Sequence, residues 1–178
     1  MSSWTMRFAW MTAVVLGLTN VALAADLKVG DPAPAFSMKG SDGKTHSLAD
    51  YKGKQAIVIA WYPKAFTGGC TAECKSFKEN SSDMKKLKVA YFTASVDTPE
   101  ENKKFAESLN LDYPILSDPD KSVAKAYGVI NPERGFANRW TFYIDKNGVI
   151  KEIDKKVIPK QAAPDVASMV EKLGLAGK

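Results

Sequence analysis

Two continuous runs of apolar residues constrain the fold of this chain more than any other feature of its sequence. They are residues 55–62 (QAIVIAWY) and 89–96 (VAYFTASV). Runs of this length and composition are typical of strands that are buried on both faces of a sheet. Between them, Cys74, Phe77, Ser81 and Met84 follow at steps of three and four, which predicts a helix beginning at about Cys70. The sequence therefore favours an α/β architecture.

The remaining segments extend this alternation of strands and helices. Thr98 precedes Pro99 and two acidic residues, a typical helix start, and the helix should run to about Leu109. The other predicted elements are a turn at 41–43 between short strands, a short strand at 113–116, a helix capped by Asp120 and ending near Gly128, a hairpin of 140–144 and 149–153, and a last helix carrying Val166, Met169, Val170 and Leu173. We predict an α/β sandwich in which helices cover both faces of a mixed central sheet.

Residues 1–24 are typical of a secretory signal peptide. Arg7 is the only charged residue among them, residues 11–24 are mostly apolar, and Ala22 and Ala24 form a small-x-small cleavage pattern. The alternative is an uncleaved anchor helix, but the apolar run is shorter than the roughly 20 residues that span a bilayer. We therefore expect cleavage after Ala24, one domain over residues 25–178, and export to an oxidising compartment such as a bacterial periplasm.

The charge pattern excludes several classes of partner. The formal net charge is +5, and the lysines are interleaved with acidic residues along the chain. This is typical of a solvated surface, and the chain has no basic stripe with interleaved aromatic residues of the kind that binds nucleic acid. Outside residues 1–24, we identify no segment apolar enough to cross a membrane.

Cys70 is the strongest candidate for a reactive residue. It follows a predicted buried strand and the glycines Gly68 and Gly69, and it opens a predicted helix. Unpaired backbone N–H groups and the positive end of the helix dipole at that position favour the thiolate, which is the nucleophilic form. The structural alternative is a small buried side chain, which is a common role of a free cysteine.

The second cysteine, Cys74, permits two interpretations. It lies four residues after Cys70, so it is either a resolving thiol or a buried structural residue on the stripe with Phe77. Disulfide geometry at this spacing requires the first helical turn to unwind. Two thiols and a single histidine do not form a metal site, and we expect that histidine, His46, to be exposed.

Pro63, Thr67 and Cys70 fit the pattern P-x-x-x-T-x-x-C within residues 63–70 (PKAFTGGC). In this the chain resembles the peroxiredoxins, and it is most similar to their bacterioferritin-comigratory, or peroxiredoxin Q, branch. Residues 29–36, 42–54, 116–129 and 138–145 resemble further segments of that family, so the similarity spans nearly all of residues 25–178. The resemblance implies a thioredoxin-like, three-layer fold with a mixed central sheet.

The same resemblance implies a role for each matched residue. Cys70 would be the peroxidatic cysteine, and Thr67 would hydrogen-bond the thiolate and the peroxide. Arg139 would stabilise the thiolate and the charge that develops as the O–O bond breaks, and Pro63 would shield the pocket from water. The implied activity is reduction of hydrogen peroxide or small organic hydroperoxides without a cofactor. A thioredoxin-like protein or a small thiol would be the reductant, and the protein would be a monomer or a weak homodimer.

The chain departs from the branch at two positions. Gly68 stands where the branch often has proline, which loosens the loop. Cys74 lies four residues after Cys70, whereas the usual helical resolving cysteine lies five residues after the peroxidatic one. The sulfenic acid formed on Cys70 would therefore be resolved either by Cys74 or by an external thiol.

Two other functions remain compatible with the sequence. One is a thiol–disulfide oxidoreductase of an exported redox pathway, although such proteins normally carry C-x-x-C, which is absent here. The other is a redox-sensing binding protein that reacts once with peroxide and then changes its affinity for a partner. Turnover with peroxide distinguishes the peroxidase from both.

Overall fold

A mixed sheet of seven strands forms the centre of the protein. The computed structural model describes residues 26–177, so the predicted signal peptide at 1–24 lies outside the described residues. The strands are β1 (Ser37–Gly40), β2 (Thr45–Ser47), β3 (Ile57–Trp61), β4 (Ala90–Ser95), β5 (Ile115–Ser117), β6 (Trp140–Ile144) and β7 (Ile150–Asp154). Both apolar runs identified in the sequence form strands, β3 and β4, and every residue of these two strands is buried.

The strand order is β2-β1-β5-β4-β3-β6-β7. Strands β3, β4 and β5 are parallel neighbours, whereas the outer pairs are antiparallel. Strands β3 and β4 thus lie in the middle of the sheet, where continuous apolar sequence is required. The predicted mixed sheet and the hairpin of β6 and β7 are confirmed.

Helices cover both faces of this sheet. They are α1 (Leu48–Tyr51), α2 (Gly68–Glu79), α3 (Ser81–Lys86), α4 (Pro99–Ser108), α5 (Ser122–Ala126) and α6 (Ala162–Lys172), with a short 3-10 helix at Pro159–Gln161 before α6. Along β3, Ile57 and Trp61 pack with residues of α5, while Val58 packs with α2, α3 and α6 on the other face. The three-layer sandwich is confirmed. Full burial of each large side chain contributes about 1.5–3 kcal/mol.

The predicted helix after residue 70 is divided in two. The stripe through Cys74, Phe77 and Met84 is buried as expected, but α2 ends at Glu79 and α3 begins at Ser81. Asn80 between them has φ −104° and ψ 18°, outside the helical range, and Ser81 is only half-buried. The expectation of one continuous helix is therefore wrong in this respect.

The helix α4 begins as the sequence indicated. The Thr98 hydroxyl accepts a hydrogen bond from the backbone N–H of Glu101 at 3.2 Å, and Pro99 occupies the first turn. This cap satisfies one of the backbone donors that a helix N-terminus leaves free. No helix within residues 26–177 is long and apolar enough to cross a membrane.

The expectation that His46 is exposed is wrong. Its side chain is only 12% accessible to solvent. Its Nδ1 lies 2.7 Å from the Tyr51 hydroxyl, and its Nε2 lies 3.1 Å from Asp42 Oδ2. The ring also packs beside Phe92. His46 thus joins the β1–β2 turn to α1, and its turn position in the sequence did not reveal these partners.

Candidate active site

Cys70 lies in the first turn of α2 and is fully buried. Thr67 is the N-cap of this helix, and its carbonyl accepts from the Thr71 N–H at 2.8 Å. The preceding residues 62–67 carry the chain from the end of β3 to the helix. The sulfur therefore sits among free backbone donors at the positive end of a twelve-residue helix, as the sequence predicted.

Arg139 reaches this thiol from the position directly before β6. Its Nη2 donates to Cys70 Sγ at 3.4 Å. Strands β3 and β6 are antiparallel with Trp61 opposite Trp140, so Arg139 lies one position beyond that pair, beside the start of the active-site loop. The sheet register thus brings together two residues that are 69 positions apart in the sequence.

The close approach of Arg139 depends on the absence of a side chain at Gly69. A Cβ atom added at this residue would lie 3.1 Å from Arg139 Nη2 and 4.0 Å from Pro159 Cγ. A Cβ at Gly68 would meet no atom within 4 Å. The two glycines are therefore not equivalent, and only Gly69 leaves room for the guanidinium group.

Glu73 is the charged residue that sequence reasoning missed. Its side chain is fully buried, and its Oε2 accepts a hydrogen bond from Arg139 Nη1 in an ion pair. Burial raises the pKa of Glu73 from 4.5 to about 7, although Arg139 opposes this shift. Its Oε1 has no hydrogen-bond partner within the described part of the chain. Glu73 thereby holds one edge of the guanidinium group while the other edge faces sulfur.

A signal for Glu73 was present in the sequence. It lies three residues after Cys70 and next to Cys74, on the helix face that carries Phe77. A carboxylate on an otherwise apolar stripe requires a cation or several donors when it is buried. That requirement indicates a partner such as Arg139, even before the structure is known.

Thr67 and Pro63 lie in the loop that joins β3 to α2, ahead of Cys70. The Thr67 hydroxyl donates to the Lys64 carbonyl at 2.9 Å, and the side chain is exposed. Its oxygen keeps lone pairs that can accept a hydrogen bond from a peroxide. Pro63 is half-buried and ends the ladder after Tyr62, whose N–H still bonds to the Ala94 carbonyl at 2.9 Å. Their predicted roles stay predictions.

Cys74 occupies a different environment from Cys70. It is fully buried, its Sγ lies 4.0 Å from Thr93 Oγ1, and its carbonyl accepts from the Tyr113 hydroxyl at 3.2 Å. Burial and then the Glu73 carboxylate raise the pKa of the Cys74 thiol to about 12. Both cysteines are free in the structure. In this conformation Cys74 is a poor nucleophile, since the thiolate is the reactive form.

The chain is similar in sequence to proteins of one family. The sequence profile of the AhpC/TSA family matches residues 29–153. Peroxiredoxin Bcp of Escherichia coli strain K12 is 37% identical over 134 residues, which cover 71% of this chain and 85% of that protein. Alkyl hydroperoxide reductase E of Mycobacterium bovis is 33% identical over 132 residues, which cover 73% of this chain and 86% of that protein.

Solved structures agree with the fold. Peroxidoxin BcpB from Mycobacterium tuberculosis matches with a TM-score of 0.75 at 26% identity, covering 82% of this chain and 97% of that one. A PrxQ mutant from Xylella fastidiosa matches with a TM-score of 0.77 at 22% identity, covering 84% and 99% respectively. The thioredoxin-like fold that the sequence resemblance implied is thereby confirmed.

Proposed function

The chain belongs to the AhpC/TSA family of peroxiredoxins, and on that premise we propose that it is a thiol peroxidase in which Cys70 is the peroxidatic cysteine. The observation that carries this assignment is the 3.4 Å contact between Cys70 Sγ and Arg139 Nη2 at the start of α2. Helix dipole, backbone donors and guanidinium group all favour negative charge at this sulfur. The substrates are hydrogen peroxide and small organic hydroperoxides.

The reaction is a nucleophilic displacement on oxygen. The Cys70 thiolate attacks one peroxide oxygen, an S–O bond forms, and the O–O bond breaks. The leaving oxygen takes a proton and departs as water or an alcohol, while Cys70 becomes a sulfenic acid. Arg139 stabilises the charge that develops on the oxygens, which is the kind of preorganised donation that lowers such barriers most. Thr67 accepts from the peroxide, and Pro63 limits access of water.

A second thiol must then reduce the sulfenic acid. We infer that an external thiol performs this step, because the pKa of the Cys74 thiol is raised to about 12, which leaves little of the reactive thiolate. The sulfenic acid condenses with that thiol to a mixed disulfide and water, and a further thiol of a thioredoxin-like reductant releases Cys70. Pairing with Cys74 is the alternative, and it requires the first turn of α2 to unwind.

Intact mass distinguishes these routes. The reduced protein is treated briefly with stoichiometric hydrogen peroxide, then unfolded in a thiol-blocking reagent. Gain of one oxygen with Cys74 still blockable is the expected result. Loss of two hydrogens, with neither thiol able to react with the blocking reagent, would establish Cys74 as the resolving residue. Cys70→Ser should be inert towards peroxide, whereas Cys74→Ser should react at the wild-type rate. Absence of any rapid change in the wild-type protein would contradict the peroxidase assignment and favour thiol–disulfide exchange.

We also propose that the protein is a monomer or a weak homodimer. Within residues 26–177, the exposed large hydrophobic side chains are four: Val29, Phe66, Phe136 and Ile158. So few exposed apolar side chains are consistent with weak self-association at most. Light scattering over a range of protein concentrations measures this directly.

Finally, we propose that the protein acts in the periplasm or outside the cell after removal of residues 1–24. Support comes from the sequence of that segment, with its single charge at Arg7, its apolar run and its Ala22-x-Ala24 pattern. A thioredoxin-like reductant of the same compartment would then complete the cycle.

A further inference from the structure

The active-site loop, residues 62–67, is anchored from outside by the connection between β4 and α4. The backbone N–H of Ala65 donates to Asp97 Oδ2 at 2.8 Å. Both residues are buried, with 3% of Ala65 and 8% of Asp97 exposed. A hydrogen bond from a backbone amide to a buried carboxylate is charge-assisted and short, and therefore among the stronger ones. This contact joins residues 32 positions apart.

The Asp97 carboxylate is itself held in place by a buried polar network. The Ser95 hydroxyl donates to Asp97 Oδ2 at 2.9 Å, and Asn102 Nδ2 donates to Ser95 Oγ at 3.0 Å. The Tyr62 hydroxyl donates to Asn102 Oδ1 at 2.7 Å. Tyr62 is the first residue of the loop, so the network is hydrogen-bonded to the loop at two points, Tyr62 and Ala65. Such connected networks fix geometry more firmly than isolated bonds do.

The loop needs this support because one of its residues is strained. Phe66 has φ +60° although it carries a side chain, a backbone conformation that costs of order 1–3 kcal/mol. Phe66 is 56% exposed, and its ring centroid lies 4.9 Å from that of Phe105 on α4. The next residue, Thr67, is the N-cap of α2. The position of the helix start, and of Cys70, therefore depends on a segment that is not stable by itself.

We propose that Asp97 is a positioning residue for the peroxidase reaction: by accepting the Ala65 N–H it fixes the active-site loop, and through it the placement of Cys70 against Arg139. Asp97 acts through the backbone of the loop rather than on the reacting atoms. This inference rests on the proposed function, since it assigns Asp97 a part in that reaction. Displacement of reacting groups by about 1 Å can lower a rate by about a hundred-fold.

The test compares Asp97→Ala with Asp97→Asn, and both with Asp118→Ala. Asp118 is a matched control because it is also a buried carboxylate that accepts a backbone N–H, from Ala124 of α5 at 2.7 Å, but it does not contact the active-site loop. Two quantities are measured for each protein. They are the rate constant of Cys70 oxidation by hydrogen peroxide and the hydrogen-exchange rate of the Ala65 amide.

We expect Asp97→Ala to slow oxidation about ten-fold or more and to speed exchange at Ala65 by at least about ten-fold. Asp97→Asn should restore both quantities to within about three-fold, because its amide oxygen can still accept from Ala65. Asp118→Ala should leave the oxidation rate and the Ala65 exchange rate unchanged, even if it lowers the melting temperature as much as Asp97→Ala does. A wild-type oxidation rate in Asp97→Ala, or an equal loss in Asp118→Ala, would overturn the proposal, and so would failure of the asparagine to restore the rate.

Failure of the proposed function gives a different pattern. Slow oxidation of the wild-type protein itself would reject the peroxidase assignment. Exchange at Ala65 would still report whether Asp97 holds the loop, because that measurement requires no reaction at Cys70. An unchanged exchange rate in Asp97→Ala would reject the anchor independently of any activity.

Discussion

At the scale of single residues, the site is a row of three charged or chargeable groups. Arg139 lies between Glu73 and Cys70, with Nη1 on the carboxylate and Nη2 on the sulfur. Burial and the opposing charges of Glu73 and Cys70 act in opposite directions on the guanidinium group, and the net effect raises the pKa of Arg139 above its ordinary value. The guanidinium group of Arg139 therefore stays cationic at every pH at which the protein is folded.

Glu73→Gln should change how stability depends on pH. Because the pKa of Glu73 is raised from 4.5 to about 7 in the folded protein, the native state keeps a proton that the unfolded chain loses within that interval. The free energy of unfolding should therefore fall as pH rises from about 4.5 to about 7. The stabilisation that comes from the raised pKa of Glu73 is fully present only below that interval. The glutamine variant lacks the titrating group, so its stability should vary less.

Urea titrations at about pH 4, 5.5 and 7.5 measure this difference. Glu79→Gln is the matched control, because Glu79 lies on the same helix but is exposed, and we expect it to keep the wild-type profile. If Glu73→Gln kept the full wild-type decline, the assignment of that decline to the buried carboxylate would be wrong.

The residues with distinctive chemistry could be predicted from the sequence, but the groups that orient them could not. Cys70 and Arg139 are recognisable from their motif and its context, and the structure brings them together. Asp97 has no comparable signal, since a single acidic residue after a strand is usually solvated. Its role depends on which amide lies opposite it, and that is decided by the packing of α4 against the loop rather than by any local pattern.

At the scale of elements, the start of α2 and the entry to β6 form one unit. Gly69 in the first turn of the helix lies against the guanidinium group of Arg139, which directly precedes the strand.

The strand and helix order could be predicted from apolar periodicity, because burial on one or both faces determines it. The break at Asn80 could not be predicted, because Phe77 and Met84 keep helical spacing across it.

Gly69→Ala should lower the rate of Cys70 oxidation roughly ten-fold, because its Cβ would displace Arg139 Nη2 from a distance of 3.1 Å. Gly68→Ala is the matched control. It lies one residue earlier in the same turn, and its Cβ would meet no atom within 4 Å. Both changes replace glycine with alanine in the first turn of α2, so the loss of backbone freedom in the unfolded chain is the same for the two variants.

Stopped-flow oxidation and thermal unfolding of both variants provide the comparison. Gly68→Ala should be slightly more stable than the wild type and oxidise at the same rate. Equal rates in Gly69→Ala and Gly68→Ala would show that the space beside the guanidinium group is not needed for the reaction.

At the scale of the whole molecule, a single seven-stranded sheet connects the elements within residues 26–177. The two sides of the sheet carry separate apolar clusters, and a third, smaller cluster contains Cys70 and Cys74 between α2 and α4. A chain of this size buries enough surface to fold without a disulfide. The two thiols are therefore available for redox chemistry rather than required for stability, which is consistent with both being free.

Residues 1–24 predict export, and export would determine which thiols this protein meets. Expression of the full chain in a bacterial host should yield, in the periplasmic fraction, a protein whose intact mass corresponds to a chain that begins at Ala25. Ala24→Lys is the control, since a large charged residue at the cleavage position prevents processing, and the full-length mass should then remain with the membranes. A cytoplasmic wild-type protein that keeps residues 1–24 would contradict both the leader and the periplasmic assignment, while leaving the chemistry of Cys70 unaffected.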